Sequence, residues 1–206
     1  MSDMFPLFLH TAGRRAVVVG GGTVGRRKAG ACADAGLAVR VVDPLAVPWP
    51  GVEWVAEAYR PDHLDGAALA VAAATPEVNA AVVVDARRSR IPVCDAANPE
   101  AGDFVFPAVV RRGRLTLAVS TGGASPFLAA RIGDRLQADF GPEYGEWVAV
   151  LDEVRRRVLE VVPAAARRRL LAGFAADLWL DRLREVGTEV ARTEMLAVVE
   201  AAAGPV

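Results

Sequence analysis

The stretch VVVGGGTVG, residues 17–25, constrains this 206-residue chain more than any other. A run of β-branched residues ends in Gly20, Gly22 and Gly25, spaced as Gly-x-Gly-x-x-Gly. A helical pattern follows from Thr23 to Ala35, and Gly36 stands where such a helix stops. Strand, glycine turn and helix together are the context in which this spacing binds a dinucleotide. Gly20 permits the tight turn. Gly22 lets the backbone approach a pyrophosphate, and Gly25 lets helix and strand pack closely. The free N–H groups of the first helical turn, from Thr23 and Val24 onward, then face the anion. An ATP phosphate loop needs Gly-Lys-Ser/Thr, whereas Arg26-Arg27 follow Gly25 here.

A dinucleotide site also needs an acid at the end of the second strand. Asp43 closes "LAVRVVDP", 18 residues after Gly25, with Pro44 behind it. A carboxylate there accepts the ribose hydroxyls and repels a 2′-phosphate, which favours NAD over NADP. The strand-like segments "GVEWVAEAY", "AALAVAAAT" and "IPVCDAAN" follow, with a short helix or turn at "PDHLDG" and a helix opening at Pro76. Strands alternating with helices predict a parallel sheet covered on both faces.

The pattern changes near residue 104. "FVFPAVVRRGRLTLAVSTGG" reads as a hairpin turning at Arg-Gly-Arg. From Ser125 apolar residues recur at three- and four-residue spacing through "SPFLAARIGDRLQADFG", "YGEWVAVLDEVRRRVLEVV", "AAARRRLLAGFAADLWLDRL" and "EVARTEMLAVVEAAAG". The expected organisation is a nucleotide-binding domain over 1–110, a small mixed region over 111–145 and a helical domain over 146–206. A net charge of −1 gives no general attraction to nucleic acid. No apolar run approaches the roughly 18 residues of a membrane span. The N-terminus lacks a basic lead and a long apolar core, and Cys32 and Cys94 form no Cys-x-x-Cys pair. These features point to the cytoplasm. His10 and His63 are isolated, so no metal site is expected.

Three further segments offer chemistry. Thr75 and Asn79 stand after the fourth strand, at the sheet edge where ligands bind, although Thr75 before Pro76 equally suits a helix cap. Asp95 and Asp103, in "PVCDAANPEAGDF", are candidates for an acid or base, or members of a polar turn. Ser120, Thr121, Gly122 and Ser125, in "STGGASP", suit an anion-binding turn, with Ser125 also placed to cap the next helix. Arg111 and Arg131 are candidates for a polyanionic substrate, or parts of a solvated basic face.

Taken together, "FPLFLHTAGRRAVVVGGGTVGRRKAGACADAGLAVRVVDP", "AAATPEVN", "GDFVFPAVVRRGRLTLAVSTGGASPFLAARIGDRL" and the region of "EYGEWV" resemble the precorrin-2 dehydrogenase family, the N-terminal module of siroheme synthases. The resemblance runs from about Met4 to about Leu159. It implies a Rossmann-type domain, a dimerisation region and a helical domain assembled as a homodimer. The implied reaction is NAD-dependent oxidation of precorrin-2, a tetrapyrrole with eight carboxylates, to sirohydrochlorin. In some members Fe²⁺ insertion follows. Carried over residue by residue, the cofactor set is Gly22, Thr23, Val24, Asp43, Pro44 and Thr75. One position departs: the family places an aspartate, implicated in both activities, where this chain has Ala97 before Asn98-Pro99. Asp95 or Asp103 would have to substitute, or the proton would pass to water. The departure bears harder on metal insertion, which needs a group to take pyrrole protons, than on hydride transfer. It also motivates an alternative, a non-catalytic regulatory module that binds NAD.

Overall fold

In the computed structural model, residues 4–45 and 48–204 are described. Residues 1–3, 46–47 and 205–206 of the expected domains therefore lie outside the described residues. The chain forms two compact units that meet at Phe106/Pro107. The hairpin and the helices after it fall in the second unit.

The first unit is an α/β layer structure. β1 (Arg15–Val19), β2 (Ala38–Val42), β3 (Glu53–Val55), β4 (Leu69–Ala72) and β5 (Val93–Asp95) form one parallel sheet in the order β3-β2-β1-β4-β5. α1 (Thr23–Asp34) follows β1, and α2 (Pro76–Arg88) follows β4. Alternation along β1 explains how both faces are covered. Val17 and Val19 pack in a cluster with Val82, Val83 and Ala86 of α2. Ala16 and Val18 pack in another with Ala29 and Cys32 of α1. Because both faces are buried, the strands read as unbroken apolar runs. The chain moves outward from β1 to β3, then returns to β4 on the other side of β1. Ligands bind at the carboxyl edge where strand order reverses in this way.

The second unit begins with an antiparallel hairpin, β6 (Ala108–Arg112) and β7 (Leu115–Val119). Arg112 pairs with Leu115, so the turn is Gly113-Arg114, with Gly113 at φ +54°. Five helices follow: α3 (Pro126–Asp139), α4 (Glu143–Val161), α5 (Ala164–Phe174), α6 (Asp177–Val186) and α7 (Thr188–Ala203). Their core gathers Trp147, Val154, Phe174, Leu180 and Met195. The single helical segment expected from Ala164 through Leu183 is two helices. Phe174 and Leu180 both enter the core, but six residues of continuous helix would set them roughly 120° apart. A break at Ala175-Ala176 turns both inward, with Ala176 extended at ψ 146°.

Candidate active site

The glycine turn has three geometries for its three glycines. Gly20 sits at φ +106°, and a Cβ there would lie 2.3 Å from the Ala73 carbonyl oxygen. A Cβ on Gly25 would stand 1.8 Å from the Gly20 carbonyl oxygen. Both positions are closed to any side chain. A Cβ on Gly22 would meet nothing within 4 Å. Gly22 is also the N-cap of α1, without a side-chain cap, and the first turn carries no acid. Thr23 and Val24 therefore open a helix whose first N–H groups lack intrahelical partners and whose dipole favours an anion. The open space and uncapped donors fit a dinucleotide pyrophosphate.

Asp43 follows β2 directly and closes on this turn. Its Oδ2 accepts a hydrogen bond from the Gly21 N–H at 2.6 Å, and Oδ1 accepts from the Leu45 N–H at 2.8 Å. Pro44 lies between these anchors, just past the strand. Sequence reasoning gave no role to Arg26 and Trp49. Arg26 Nε donates to the Gly21 carbonyl at 3.2 Å, and its guanidinium lies 4.4 Å from the Trp49 ring centroid. A bulky aromatic in the Pro-rich loop "VPWPG" was the available signal.

On the other side of the switch point, Thr75 caps α2, its Oγ1 accepting from the Val78 N–H at 3.5 Å. Asn79 is 1% exposed. Its Oδ1 accepts from the Ala74 N–H at 2.8 Å, and its Nδ2 donates to Asp95 Oδ1 at 3.1 Å. The same Asp95 oxygen accepts from the N–H groups of Ala97 (2.9 Å) and Asn98 (3.1 Å). A cavity of about 360 Å³ lies between α2 and this turn, bounded by Asn79, Val83, Asp95, Ala97 and Asn98. Asp103 is placed elsewhere. Its Oδ2 accepts from the Val93 N–H at 3.0 Å, its Oδ1 lies 3.4 Å from Arg87, and its own N–H donates to the Val93 carbonyl. It thus serves the opening residue of β5, while Asp95 closes that strand. The structure does not bring the two carboxylates together.

A second unexpected feature lies under α1. Lys28 is buried, with Nζ 3.9 Å from Cys94 Sγ and 4.1 Å from the Phe106 ring centroid. Burial lowers the pKa of this ammonium and raises that of the Cys94 thiol. It pushes Cys32 up to about 11.

In the second unit, the residues of "STGGASP" bond chiefly to one another. Thr121 Oγ1 donates to the Ser125 carbonyl and accepts from its N–H, both at 3.0 Å. Ser120 Oγ accepts from the Gly122 N–H at 3.2 Å, and Ser125 Oγ caps α3 at Leu128. Gly122 and Gly123 both have positive φ, at 63° and 84°. Arg112 donates to the carbonyls of Phe140 and Gln137 at the end of α3, and Arg114 pairs with Asp152 at 2.8 Å. Arg111 and Arg131 are exposed.

Parallel strand order, reversal beside β1, an open glycine cradle and an acid across it define a Rossmann-type NAD(P)-binding protein. A family of NAD(P)-binding domains matches residues 7–108, and the central domain of sirohaem biosynthesis proteins matches residues 112–138. A siroheme synthase of Nitrosomonas eutropha is 36% identical over 81% of this chain and 37% of its own length. Another, from Methylococcus capsulatus, is 34% identical over 98% of this chain and 44% of its own. The chain thus spans about two fifths of the curated relatives it matches. Among solved structures, SirC, a precorrin-2 dehydrogenase, is similar with a TM-score of 0.73 and 26% identity, covering 96% of this chain and all of that one. The chain belongs to the family formed by the precorrin-2 dehydrogenases and the N-terminal module of the siroheme synthases.

Proposed function

We propose that this chain is an NAD-dependent dehydrogenase that oxidises precorrin-2 to sirohydrochlorin. The observation that carries the reading is the side-chain-free cradle at Gly22, with Asp43 fastened across it. It stands on a chain similar over nearly its whole length to a precorrin-2 dehydrogenase. When bound, NAD supplies the hydride acceptor. The N–H groups of Gly22, Thr23 and Val24 hold the pyrophosphate, and Gly20 and Gly25 keep the turn closed. Asp43 accepts from the ribose hydroxyls and turns away a 2′-phosphate. Pro44 and Thr75 bound the same edge. Loss of a hydride leaves the substrate with a proton to shed. Asp95 is our candidate acceptor, because it lines the cavity and, among the described residues, all three side-chain hydrogen bonds it accepts fall on Oδ1. Asp103, committed to β5 and Arg87, is the weaker candidate.

We assign recognition of the substrate's carboxylates to Ser120, Thr121, Gly122, Ser125, Arg111 and Arg131. Arginine pairs bidentately with carboxylates, and two positive-φ glycines form an anion-binding concavity. Region 111–145 is proposed to build a homodimer. Among the described residues no helix is long and apolar enough to cross a membrane. Two free, buried thiols suit the cytoplasm.

Ala97 favours a second reading, an NAD-binding module without turnover. Anaerobic incubation with enzymatically made precorrin-2, followed by absorbance with NAD and then NADP, separates the two. Sirohydrochlorin formed with NAD alone is the expected result. Bound NAD without turnover would establish the module instead. Fe²⁺ added to the product tests metal insertion, and with Ala97 in place we expect none.

A further inference from the structure

We propose that Asn79 is a positioning residue that locks the turn after β4 to the turn after β5, and so fixes cofactor and proton acceptor relative to each other. The inference rests on the dehydrogenase reading above. Four hydrogen bonds make a continuous path. The Ala74 N–H meets Asn79 Oδ1 at 2.8 Å, and Asn79 Nδ2 meets Asp95 Oδ1 at 3.1 Å. That oxygen takes the N–H groups of Ala97 and Asn98 at 2.9 and 3.1 Å. Thr75 stands beside the first end and the cavity at the second.

The side-chain type is dictated by this path. A carboxamide accepts at one end and donates at the other from one planar group. An aspartate would accept at both ends and meet the Asp95 carboxylate with a like charge. An aliphatic residue would leave the Ala74 N–H without its acceptor. Asn79 and Asp95 are both buried, so water cannot readily replace a lost bond. The amide therefore holds two turns that adjacent strands alone would leave free beyond their last rungs. Misplacement of reacting groups by an ångström costs on the order of 100-fold in rate.

The test uses the full chain as Asn79→Ala, Asn79→Asp and Asp95→Asn. NAD affinity is read by calorimetry, turnover with precorrin-2, and folding by circular dichroism. Asn79→Ala should stay folded, bind NAD about tenfold more weakly and turn over about 100-fold more slowly. Asn79→Asp should regain NAD affinity as pH falls toward ~5, because one proton shared between two carboxylates restores the missing donor. Wild type should show no such recovery. Asp95→Asn keeps an amide Oδ1 that can accept from Asn79 and from the Ala97 and Asn98 N–H groups, so NAD affinity should stay within about threefold of wild type while turnover falls with the lost carboxylate.

Folded Asn79→Ala with NAD affinity and turnover within about twofold of wild type would overturn the proposal. If Asn79→Ala does not fold, Asn79→Asp decides: fold and NAD affinity that rise toward wild type as pH falls toward ~5 support the coupling, and an affinity that does not change with pH overturns it. NAD affinity is measured without tetrapyrrole. A wild-type protein that binds NAD but leaves precorrin-2 unchanged would therefore overturn the functional reading, while the affinities of the variants would still decide the role of Asn79.

Discussion

The two units bury different chemistry. Among the described residues, every buried polar or charged side chain (Lys28, His63, Asn79 and Asp95) belongs to the first. Among the described residues the second buries apolar side chains, with the Trp147 indole N–H the polar exception, and its many charges pair at the surface, as in Arg182–Glu194, Arg192–Glu153 and Arg157–Glu200. Buried polar groups lower stability unless they are satisfied, so a fold retains them where geometry must be exact to function. Here two of the four, Asn79 in the first turn of α2 and Asp95 at the end of β5, lie at the carboxyl edge of the sheet and bound the cavity. The contrast separates a unit built around a site from one held by packing.

The sharpest way to break this contrast is to place side chains within the glycine turn itself. Gly25→Ala sets a Cβ against the Gly20 carbonyl. We expect a loss of about 3–5 kcal/mol in the first unit, read by chemical denaturation. Gly22→Asp should do the reverse to stability. The site is open and the position is an N-cap, where aspartate is at least as good as glycine. Stability should hold or rise by a few tenths of a kcal/mol, while NAD binding is lost to steric and like-charge conflict. Unchanged NAD affinity in folded Gly22→Asp would remove the cradle as the cofactor site.

In the second unit the largest effect should come from the core. Met195 is fully buried in the helical cluster. Met195→Ala should cost about 2–5 kcal/mol, seen as a lowered denaturation midpoint for that unit. NAD affinity should not change, since every residue assigned to the cofactor lies in the first. A parallel loss of NAD affinity would show that the division of labour is wrong.

How much of this is legible in the sequence differs between the units for the same reason. The sheet, its order of elements and the glycine turn follow from short-range patterns: β-branched runs, glycine spacing and an acid at a strand end. Thr75 and Ser125 each leave a capping role open in sequence, and both cap. The α5/α6 break escapes the pattern because local periodicity continues through Gly173 and Ala176, and only the shared core of Phe174 and Leu180 demands a change of direction. Asn79's two-ended role depends on residues 5 and 16 positions away, which spacing alone does not reveal. Asp95 and Asp103 look equivalent in sequence. The return of the chain along β5 is what separates them.

Lys28 sharpens the comparison from within the first unit. Burial lowers its pKa in the folded state below the ordinary lysine value of 10.5. Between those two values the unfolded chain binds more protons, so wild type gains stability from this residue as pH rises through that window. Lys28→Met keeps the packing volume and removes the buried ammonium. We expect it to be more stable than wild type by about 1 kcal/mol at neutral pH, with the advantage shrinking as pH approaches 10.5. Cys32 acts oppositely. Its folded-state value, about 11 against an ordinary 9.0, withdraws stability as pH rises between the two. The decline above pH 9 should therefore be steeper in Lys28→Met than in wild type. A constant difference between the two proteins across the range would mean that Lys28 reaches water.

The smallest effect is expected where the second unit carries its charge. Arg182 makes a two-pronged pair with Glu194, Nε at 2.9 Å and a terminal nitrogen at 2.6 Å, and also reaches Glu185 at 3.0 Å. Its side chain and that of Glu194 are each more than a third exposed. Water competes for both partners, and fixing two long side chains opposes the attraction. Arg182→Ala should lower the melting temperature by no more than about 3 °C, and the difference from wild type should shrink further in ~0.5 M salt. A shift as large as that of Met195→Ala would show that this arginine joins α6 to α7 through its packing stem as well as its charge, and that the helical unit is less purely apolar in its construction than its core suggests.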